Sequence, residues 1–478
     1  MSRTADNAPL PPDFPEAELP APGEDAEDDD GGSALVVRSA STANDPIPRL
    51  REVRVQLVKL DEKNGSEAQQ DEPTEGANNV VLLEDPEGIA TRPAVISVAA
   101  YTLSTFFNGM RNAGEVAGIF NDKYGQAISA EQVLDLQHEL DKSFFLYSRR
   151  FERALRRHVR GYLENSVRPA VHAGTSYPEA SETLRQTVTG FFNPPYGPGV
   201  LDQIPAAEIA QSDTVRGLIV PHVDLRVGGA TYAHGYRELI CHSQAELFVI
   251  LGVAHQSIGD NLFYVSQKDF ATPGGVVRTN RSIARRLLAA ADAEHVVAEL
   301  AHRTEHSVEF QAVLLHALLA ERYGRNVEIV PVLCGSVDNF LAEEEDPTRA
   351  PAFKRFIQRL GAELEESKKK WCVLCSVDFS HVGPEFGNST MIGERVLPPI
   401  ERGDRRVLKH IEKLDTEGFV QEVQRTQNSR HMDAILAVLT MLEACRGTFN
   451  RARLLQYDQM LKTATHSAVS YCSVAFEK

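Results

Sequence analysis

The chain has 478 residues, of which 42% are hydrophobic and 7% aromatic, and its formal net charge is −17. This length predicts more than one domain, and the acidic balance disfavours binding to nucleic acid or to anionic membranes. No apolar run reaches the roughly 18 residues that span a membrane, and the first residues carry no apolar signal-peptide core. We therefore expect a cytoplasmic protein, in which the six cysteines are reduced and buried thiols.

The first segment, residues 1–44, is rich in proline and in acidic residues, as in "PPDFPEAELPAPGEDAEDDDGG". It holds too few aliphatic side chains to offset the entropy of ordering. We expect a disordered, solvated tail, and the alternative is a docking segment for a basic partner.

Residues 45–165 are predicted to form a small, mainly helical domain. Two short strands, "REVRVQLVKL" and "NNVVLLED", precede three helical patterns, the last of which begins at a plausible N-cap, Ser129. The arginine-rich stretch "SRRFERALRRHVRGY" is interpreted as the solvated face of a helix, with RNA or an acidic protein as the alternative ligand. The order of these elements resembles PqqD-like and winged-helix domains, which implies a module that holds a peptide or a partner protein.

Residues 168–478 alternate between apolar, strand-like runs and amphipathic helical patterns. The runs include "GLIVPH", "ELFVILGVAH", "VEIVPVLCG" and "WCVLCSVDFSH". Strands that are apolar on both faces are typical of a buried sheet, so we expect an α/β domain with a central, mostly buried sheet flanked by helices.

Several of these strands end in side chains that bind metals or move protons. His222 follows one strand, His255 the next, and Asp378 and His381 a third. Ligands of open α/β sheets bind beyond the carboxyl ends of the strands, so these residues should meet. Histidine and carboxylate ligands with an open position suit non-haem iron or zinc.

Two further segments place similar side chains at predicted helix starts. "RTEHSVEFQ" contains Glu305 and His306, with Glu309 one turn later, and "NSRHMDAI" contains His431 and Asp433. A single histidine at a strand end is usually an ordinary half-buried side chain. Five such segments together favour convergence on one metal site.

Two glycine- or cysteine-containing motifs carry no comparable signal. Cys372 and Cys375 lie within one strand, where positions three apart face opposite sides, so they are expected to be core thiols. The glycines of "TPGGVVRTN" lack the spacing of a phosphate-binding loop, and no nucleotide cofactor is expected.

From residue 168 onward the chain resembles the Memo family. The matching segments, in order, are "HAGTSYP", "VPHVDLRVGGATYAHGY", "LGVAHQS", "FATPGGVVRTN", "EHSVEFQ", "CSVDFSHVG" and "SRHMDAI". A helical domain ahead of this region resembles the longer bacterial form, AmmeMemoRadiSam system protein B. That system pairs a Memo protein with an AMMECR-type protein and a radical SAM enzyme.

The resemblance implies a fold similar to that of class III extradiol dioxygenases and a bound iron or copper ion. The implied metal ligands are His222, His255 and Asp378, and the implied catalytic acid/base or supporting groups are His306, His381 and Glu305. The implied pocket residues are Asp224, Gln256, Asn428 and His431.

The chain departs from the family pattern near these residues. Gln256 replaces the second histidine of the family's LGPSHH element, and Asp224 lies close to the first predicted ligand. Asn428 and Ser429 stand where the family often has cysteine before glycine. Loss of a soft thiolate shifts the expected metal from copper toward Fe(II), with zinc as a further alternative.

Three functions remain open at this point. The first is a metal-dependent oxidoreductase, dioxygenase-like, acting on a phenolic, indolic or peptide substrate. The second is a non-catalytic iron- or copper-binding or adaptor protein, and the third is a metal-dependent hydrolase. Expected partners are the substrate and, through the resemblance, an AMMECR-type protein and a radical SAM enzyme, but neither nucleic acid nor a membrane.

Overall fold

The computed structural model describes residues 44–59, 79–85, 88–256 and 261–478. The chain divides into two compact units between Gly161 and Tyr162, a little before the boundary at 165–168 that the sequence predicts. The predicted tail, residues 1–44, lies outside the described residues except for Asn44.

The first unit combines a small antiparallel sheet with short helices. The strands β1 (Arg54–Lys59), β2 (Asn79–Glu84) and β3 (Ala94–Ser97) pair in chain order. The helices are α1 (Val98–Ser104), α2 (Ala113–Tyr124), α3 (Ala130–Lys142) and α4 (Arg149–Glu164), and the chain divides within α4.

Two helices of this unit begin at capping boxes, and one of them starts at Ser129, the N-cap that the sequence predicts. The Ser129 side chain accepts a hydrogen bond from the backbone N–H of Gln132, whose side-chain oxygen in turn accepts one from the backbone N–H of Ser129, a complete capping box. Asn112 and Glu115 form a second capping box at α2. The PqqD-like or winged-helix assignment of this unit stays a prediction.

The second unit is built on a large mixed sheet, in which eleven strands pair among the described residues. Its strands are β4 (Val167–Arg168), β5 (Val215–Val220), β6 (Leu247–Val253), β7 (Phe263–Val265), β8 (Asp269–Thr272), β9 (Gly275–Thr279), β10 (Glu328–Cys334), β11 (Trp371–Ser376), β12 (His381–Val382), β13 (Arg451–Lys462) and β14 (Ser467–Glu477). The order is β12-β14-β5-β11-β6-β10-β9-β8-β4, with β13 on β14 and β7 on β10.

The centre of this sheet is parallel and fully buried. Strands β5, β11, β6 and β10 pair in parallel, and every residue of β6 is buried. The apolar run of β6 therefore has no polar face, as expected for a strand covered on both sides.

Helices cover both faces of the sheet. They are α5 (Ser181–Gly190), α6 (Leu225–His242), α7 (Arg281–Ala291), α8 (His295–His302), α9 (His306–Leu315), α10 (Asp338–Ala342), α11 (Pro351–Glu366), α12 (Leu397–Glu412), α13 (Thr416–Thr426) and α14 (Ile435–Ala444). On β5, Leu218 and Val220 lie against Gly235 of α6, whereas Gly217 faces Met441 of α14. The expected α/β fold, a buried sheet flanked by helices, is confirmed.

The parallel centre brings the predicted strand ends to one edge. The neighbours β5, β11 and β6 run in the same direction, so the residues that follow them emerge side by side. No helix among the described residues is long and apolar enough to cross a membrane.

Candidate metal centre

His222 lies just beyond β5 and is 2% exposed. Its Nδ1 is 3.0 Å from the carbonyl oxygen of Ser376, the last residue of β11. A carbonyl can only accept, so Nδ1 carries the proton and Nε2 is the ring nitrogen that can bind a metal. The strand ends thus fix both the position and the tautomer of this imidazole.

The charge of His222 is set by two carboxylates near Nε2. Asp433 Oδ2 lies 3.2 Å and Asp378 Oδ2 3.6 Å from that nitrogen. Burial disfavours the imidazolium, but the two carboxylates outweigh it and raise the pKa of His222 to about 10. A cation is therefore stabilised at this point.

Glu305 joins the other two histidines of the site. It is the N-cap of α9 and accepts hydrogen bonds from the backbone N–H groups of His306 and Ser307. The same carboxylate lies 3.1 Å from Nδ1 of His255 and 3.2 Å from Nδ1 of His306. Burial opposes ionisation of Glu305, but the adjacent histidines and backbone donors hold its pKa well below the usual range.

The Glu305 carboxylate leaves Nε2 of both rings free to face the site. A carboxylate that orients a metal-binding imidazole through its far nitrogen is a common arrangement around protein metals. Glu305 and the other charges raise the pKa of His255 against the effect of burial. Burial and the neighbouring histidines instead hold the pKa of His306 well below its ordinary value, so that this ring is neutral at pH 7.

The three imidazoles converge. One ring nitrogen from each of His222, His255 and His306 lies within 4.8 Å of the others, and the group could hold a metal ion. The rings of His255 and His306 stack at 4.8 Å, and both stand nearly perpendicular to His222. The side chains of His255 and His306 are 34% and 31% exposed, so the site is open on that side.

Asp378 and Asp433 belong to two loops that are tied together. The Asp378 backbone N–H donates to Asp433 Oδ1 at 3.0 Å, while Asp378 Oδ1 accepts from the backbone of His222 at 3.1 Å. Burial raises the pKa of Asp378, whereas the surrounding histidines lower that of Asp433 despite its burial. Asp433 is thus the more strongly ionised of the two.

His381, the first residue of β12, approaches the centre. Its Nδ1 lies 3.2 Å from the carbonyl of Phe379 and 3.1 Å from that of His431, so it must carry the proton. Its Nε2 is 3.8 Å from Asp433 Oδ2. The ring therefore presents a nitrogen that can accept a proton at the edge of the site.

The predicted pocket residues have other polar partners. Asp224 caps α6 and pairs with Arg226, and Gln256 accepts a long bond from Thr304. Asn428 exchanges hydrogen bonds with the backbone of Met432. His431 has an exposed side chain near the amide of Asn388.

A buried support lies behind the α9 end of the site, and sequence reasoning missed most of it. The Arg168 guanidinium forms a fully buried ion pair with Glu309 and donates to the carbonyls of His302 and Glu305. Glu309 also accepts from the Tyr177 hydroxyl and the His172 backbone. The available signal was an arginine four residues before the start of the "HAGTSYP" element, together with Glu309 in the "EHSVEFQ" motif.

Tyr457 on β13 forms a hydrogen bond away from the histidine group. Its hydroxyl donates to Asp404, 2.8 Å away, and not to the histidine group.

Residues 168–475 match the family described as Memo-like protein. The chain belongs to this family. The matched region spans the strands and loops that carry all three histidines, so the centre is a feature of the Memo part of the chain.

Several curated proteins are similar to this chain. A MEMO1 family protein of Aquifex aeolicus is 26% identical over 396 residues, which cover 83% of this chain and 95% of the relative. A MEMO1 family protein of Pyrococcus furiosus is 26% identical, covering 65% of this chain and 99% of its own. The Aquifex match is longer than the Memo region, so it extends into the first unit.

Among solved structures, an uncharacterized protein from Escherichia coli K12 matches 55% of this chain and 99% of its own. The TM-score is 0.32 and the identity 12%. The likeness to extradiol dioxygenases stays a prediction from the sequence.

Proposed function

We propose that this Memo-family protein is a mononuclear, non-haem metal-dependent oxidoreductase of the dioxygenase-like type, with Fe(II) as its metal. The observation that carries the proposal is the convergence of three imidazoles whose Nδ1 atoms each lie within 3.2 Å of an acceptor oxygen, beside two carboxylates. His222, His255 and His306 would hold the ion. Imidazole and carboxylate donors without a thiolate suit Fe(II) or zinc better than copper(I).

The surroundings of Asp433 also support a bound ion at these residues. Asp433 Oδ2 is buried and accepts no hydrogen bond of good geometry among the described residues, although three imidazole nitrogens lie within 3.9 Å of it. A buried, unsatisfied carboxylate oxygen is costly unless a cation completes its surroundings. A bound Fe(II) would supply the redox chemistry and positions for O2 and substrate.

The remaining groups would handle the substrate and its proton. His381 Nε2 lies 3.8 Å from Asp433 Oδ2 at the edge of the site, and its ring is fixed through Nδ1. We infer that it takes the proton of a phenolic, indolic or peptide substrate. The exposed edges of His255 and His306 mark the side from which the substrate would enter.

We further propose that the protein works with an AMMECR-type protein and a radical SAM enzyme, and that the first unit holds a peptide or a partner. The family membership supports this, as does the Aquifex match, which covers both units. Co-purification of the full chain with an AMMECR-type protein would test it, and two separate elution peaks at equal concentrations would contradict it.

Anaerobic purification followed by metal analysis tests the centre. We expect about one iron per chain in the wild type and none in the His222→Ala/His255→Ala double variant. His295→Ala is the matched control, because His295 is an exposed histidine on α8 in the same unit, and it should keep the iron. Oxygen uptake with phenols and peptides would then follow.

Other results would redirect or reject the proposal. Stoichiometric zinc in place of iron would favour hydrolysis over oxidation. A wild type that holds no metal even after anaerobic Fe(II) loading would reject both enzymatic functions and leave the adaptor.

A further inference from the structure

Asp433 occupies a special position between the histidines. It lies in the loop between α13 and α14, and its side chain is 14% exposed. The hydrogen bond from the Asp378 backbone N–H fixes Oδ1. The other oxygen, Oδ2, is thereby directed at the imidazoles.

The distances from Oδ2 to two imidazole nitrogens are close to those between atoms that share one ion, with one inside that range and one longer. Two donors bound at about 2.1 Å lie about 3.0–3.4 Å apart, depending on whether the geometry is octahedral or tetrahedral. Oδ2 lies 3.2 Å from His222 Nε2 and 3.9 Å from His255 Nε2. Small side-chain shifts would bring all three atoms to a common centre.

Asp378 is a weaker candidate for the same role. Its Oδ1 is engaged by the backbone of His222 and Val223, and its Oδ2 is 3.6 Å from His222. Within the described residues, no second histidine has a ring nitrogen within 4 Å of it. The Asp378 side chain therefore holds the loop of His222. Its backbone N–H holds the side chain of Asp433.

Asn428 and Ser429 are also poorly placed for ligation. The family resemblance places a frequent cysteine at these positions. The Asn428 side chain, however, is hydrogen-bonded to the backbone of Met432, and the Ser429 N–H donates to Thr426 in the turn of the loop. The carboxylate that reaches the histidines comes from further along the same loop.

We propose that Asp433 is a direct carboxylate ligand of the metal, added to His222, His255 and His306 of the proposed centre, and that Asp378 is a positioning residue. This inference rests on the proposed metal centre. A carboxylate ligand would make the site a histidine–carboxylate centre. Such a centre selects Fe(II), Co(II) or Zn(II) over copper(I).

Asp433→Cys, loaded with Co(II), tests ligation directly. A cysteine that binds Co(II) produces a thiolate-to-metal charge-transfer band in the near ultraviolet, which a merely structural residue does not. We expect the band in Asp433→Cys and not in the wild type, whose six cysteines are all buried. Ser429→Cys is the matched control in the same loop and should also lack the band.

The outcomes separate this inference from the proposed function. A wild type that binds Co(II) at one per chain, together with an Asp433→Cys variant that binds it without the band, would overturn the role of Asp433 and leave the histidine site intact. A band only in Ser429→Cys would assign the ligand to the position suggested by the family pattern, and would also overturn it. A wild type that binds no divalent ion would reject the centre itself.

Asp433→Asn provides a second measurement if the cysteine variant does not fold. Loss of a partner that only orients a ligand weakens binding by about 10–100-fold, so loss of a ligand should weaken Co(II) binding by at least about 100-fold. An Asp433→Asn protein with wild-type Co(II) affinity and an unchanged visible spectrum would refute direct ligation.

Discussion

Metal binding at neutral pH should expel at least one proton, and that proton comes from His222. The carboxylates of Asp433 and Asp378, 3.2 and 3.6 Å from Nε2, raise the pKa of this imidazole to about 10 against the opposing effect of burial. A metal binds the neutral ring. The same nitrogen cannot hold the proton and the ion together.

The free-energy cost of deprotonating His222 follows from the difference between its pKa and the working pH. At pH 7, three units below a pKa of about 10, roughly one site in a thousand has a neutral His222, and deprotonation costs about 4 kcal/mol at 1.36 kcal/mol per unit. Because the raised pKa favours the proton at low pH, the apparent metal affinity should rise with pH. We expect about a ten-fold increase per unit between pH 7 and 9.

Titration calorimetry with Zn(II) in two buffers of different ionisation enthalpy measures the proton count. In the wild type we expect at least one proton released per ion at pH 7.5. Asp378→Asn removes one of the two charges that raise the pKa, so its affinity should depend less steeply on pH. A wild type that releases no proton and binds equally well at pH 7 and 9 would refute the reasoning.

Three substitutions test the supports of the site. Glu305→Gln keeps the shape of the N-cap but removes the charge that orients two imidazoles, so metal affinity should fall about 10–100-fold by calorimetry while circular dichroism is unchanged. Gly252→Ala places a methyl group 2.5 Å from Ser307 Oγ and should cost about 1–3 kcal/mol in urea unfolding, with weaker metal binding as α9 is pushed from β6. Arg168→Met leaves the Glu309 carboxylate buried without its cation and should cost about 3–5 kcal/mol. Arg185→Met, which breaks an exposed pair with Glu182, is its control and should leave the free energy of unfolding nearly unchanged. Equal losses in the two arginine variants would contradict the role assigned to burial.

The sequence predicts the convergence of the site because the topology of a parallel sheet is simple. His222, His255 and Asp378 each follow an apolar run, and the carboxyl ends of neighbouring parallel strands meet at one edge. The start of α9 is also predicted from the sequence, because acidic residues are enriched in the first turn of a helix.

The sequence does not predict in the same way which carboxylate faces the histidines. Asp433 reaches them through a loop in which Gln427, Asn428 and His431 all have positive φ angles. No periodic pattern encodes such a path. The pair between Arg168 and Glu309 joins residues that are 141 positions apart, and it depends on how α9 packs against the chain before it.

The charges of the centre suggest why protons and a divalent ion can exchange there. The pKa values of both His222 and His255 are raised, so the metal-free site favours imidazolium at these two positions more than water does. The pKa of His306 is lowered, and its ring stays neutral with or without a metal. A divalent cation that displaces the proton of His222, together with any proton favoured on His255, brings positive charge to the place where positive charge is lost. A site surrounded by low-dielectric protein can therefore hold the ion with a smaller change in the charge beside Asp433 and Glu305.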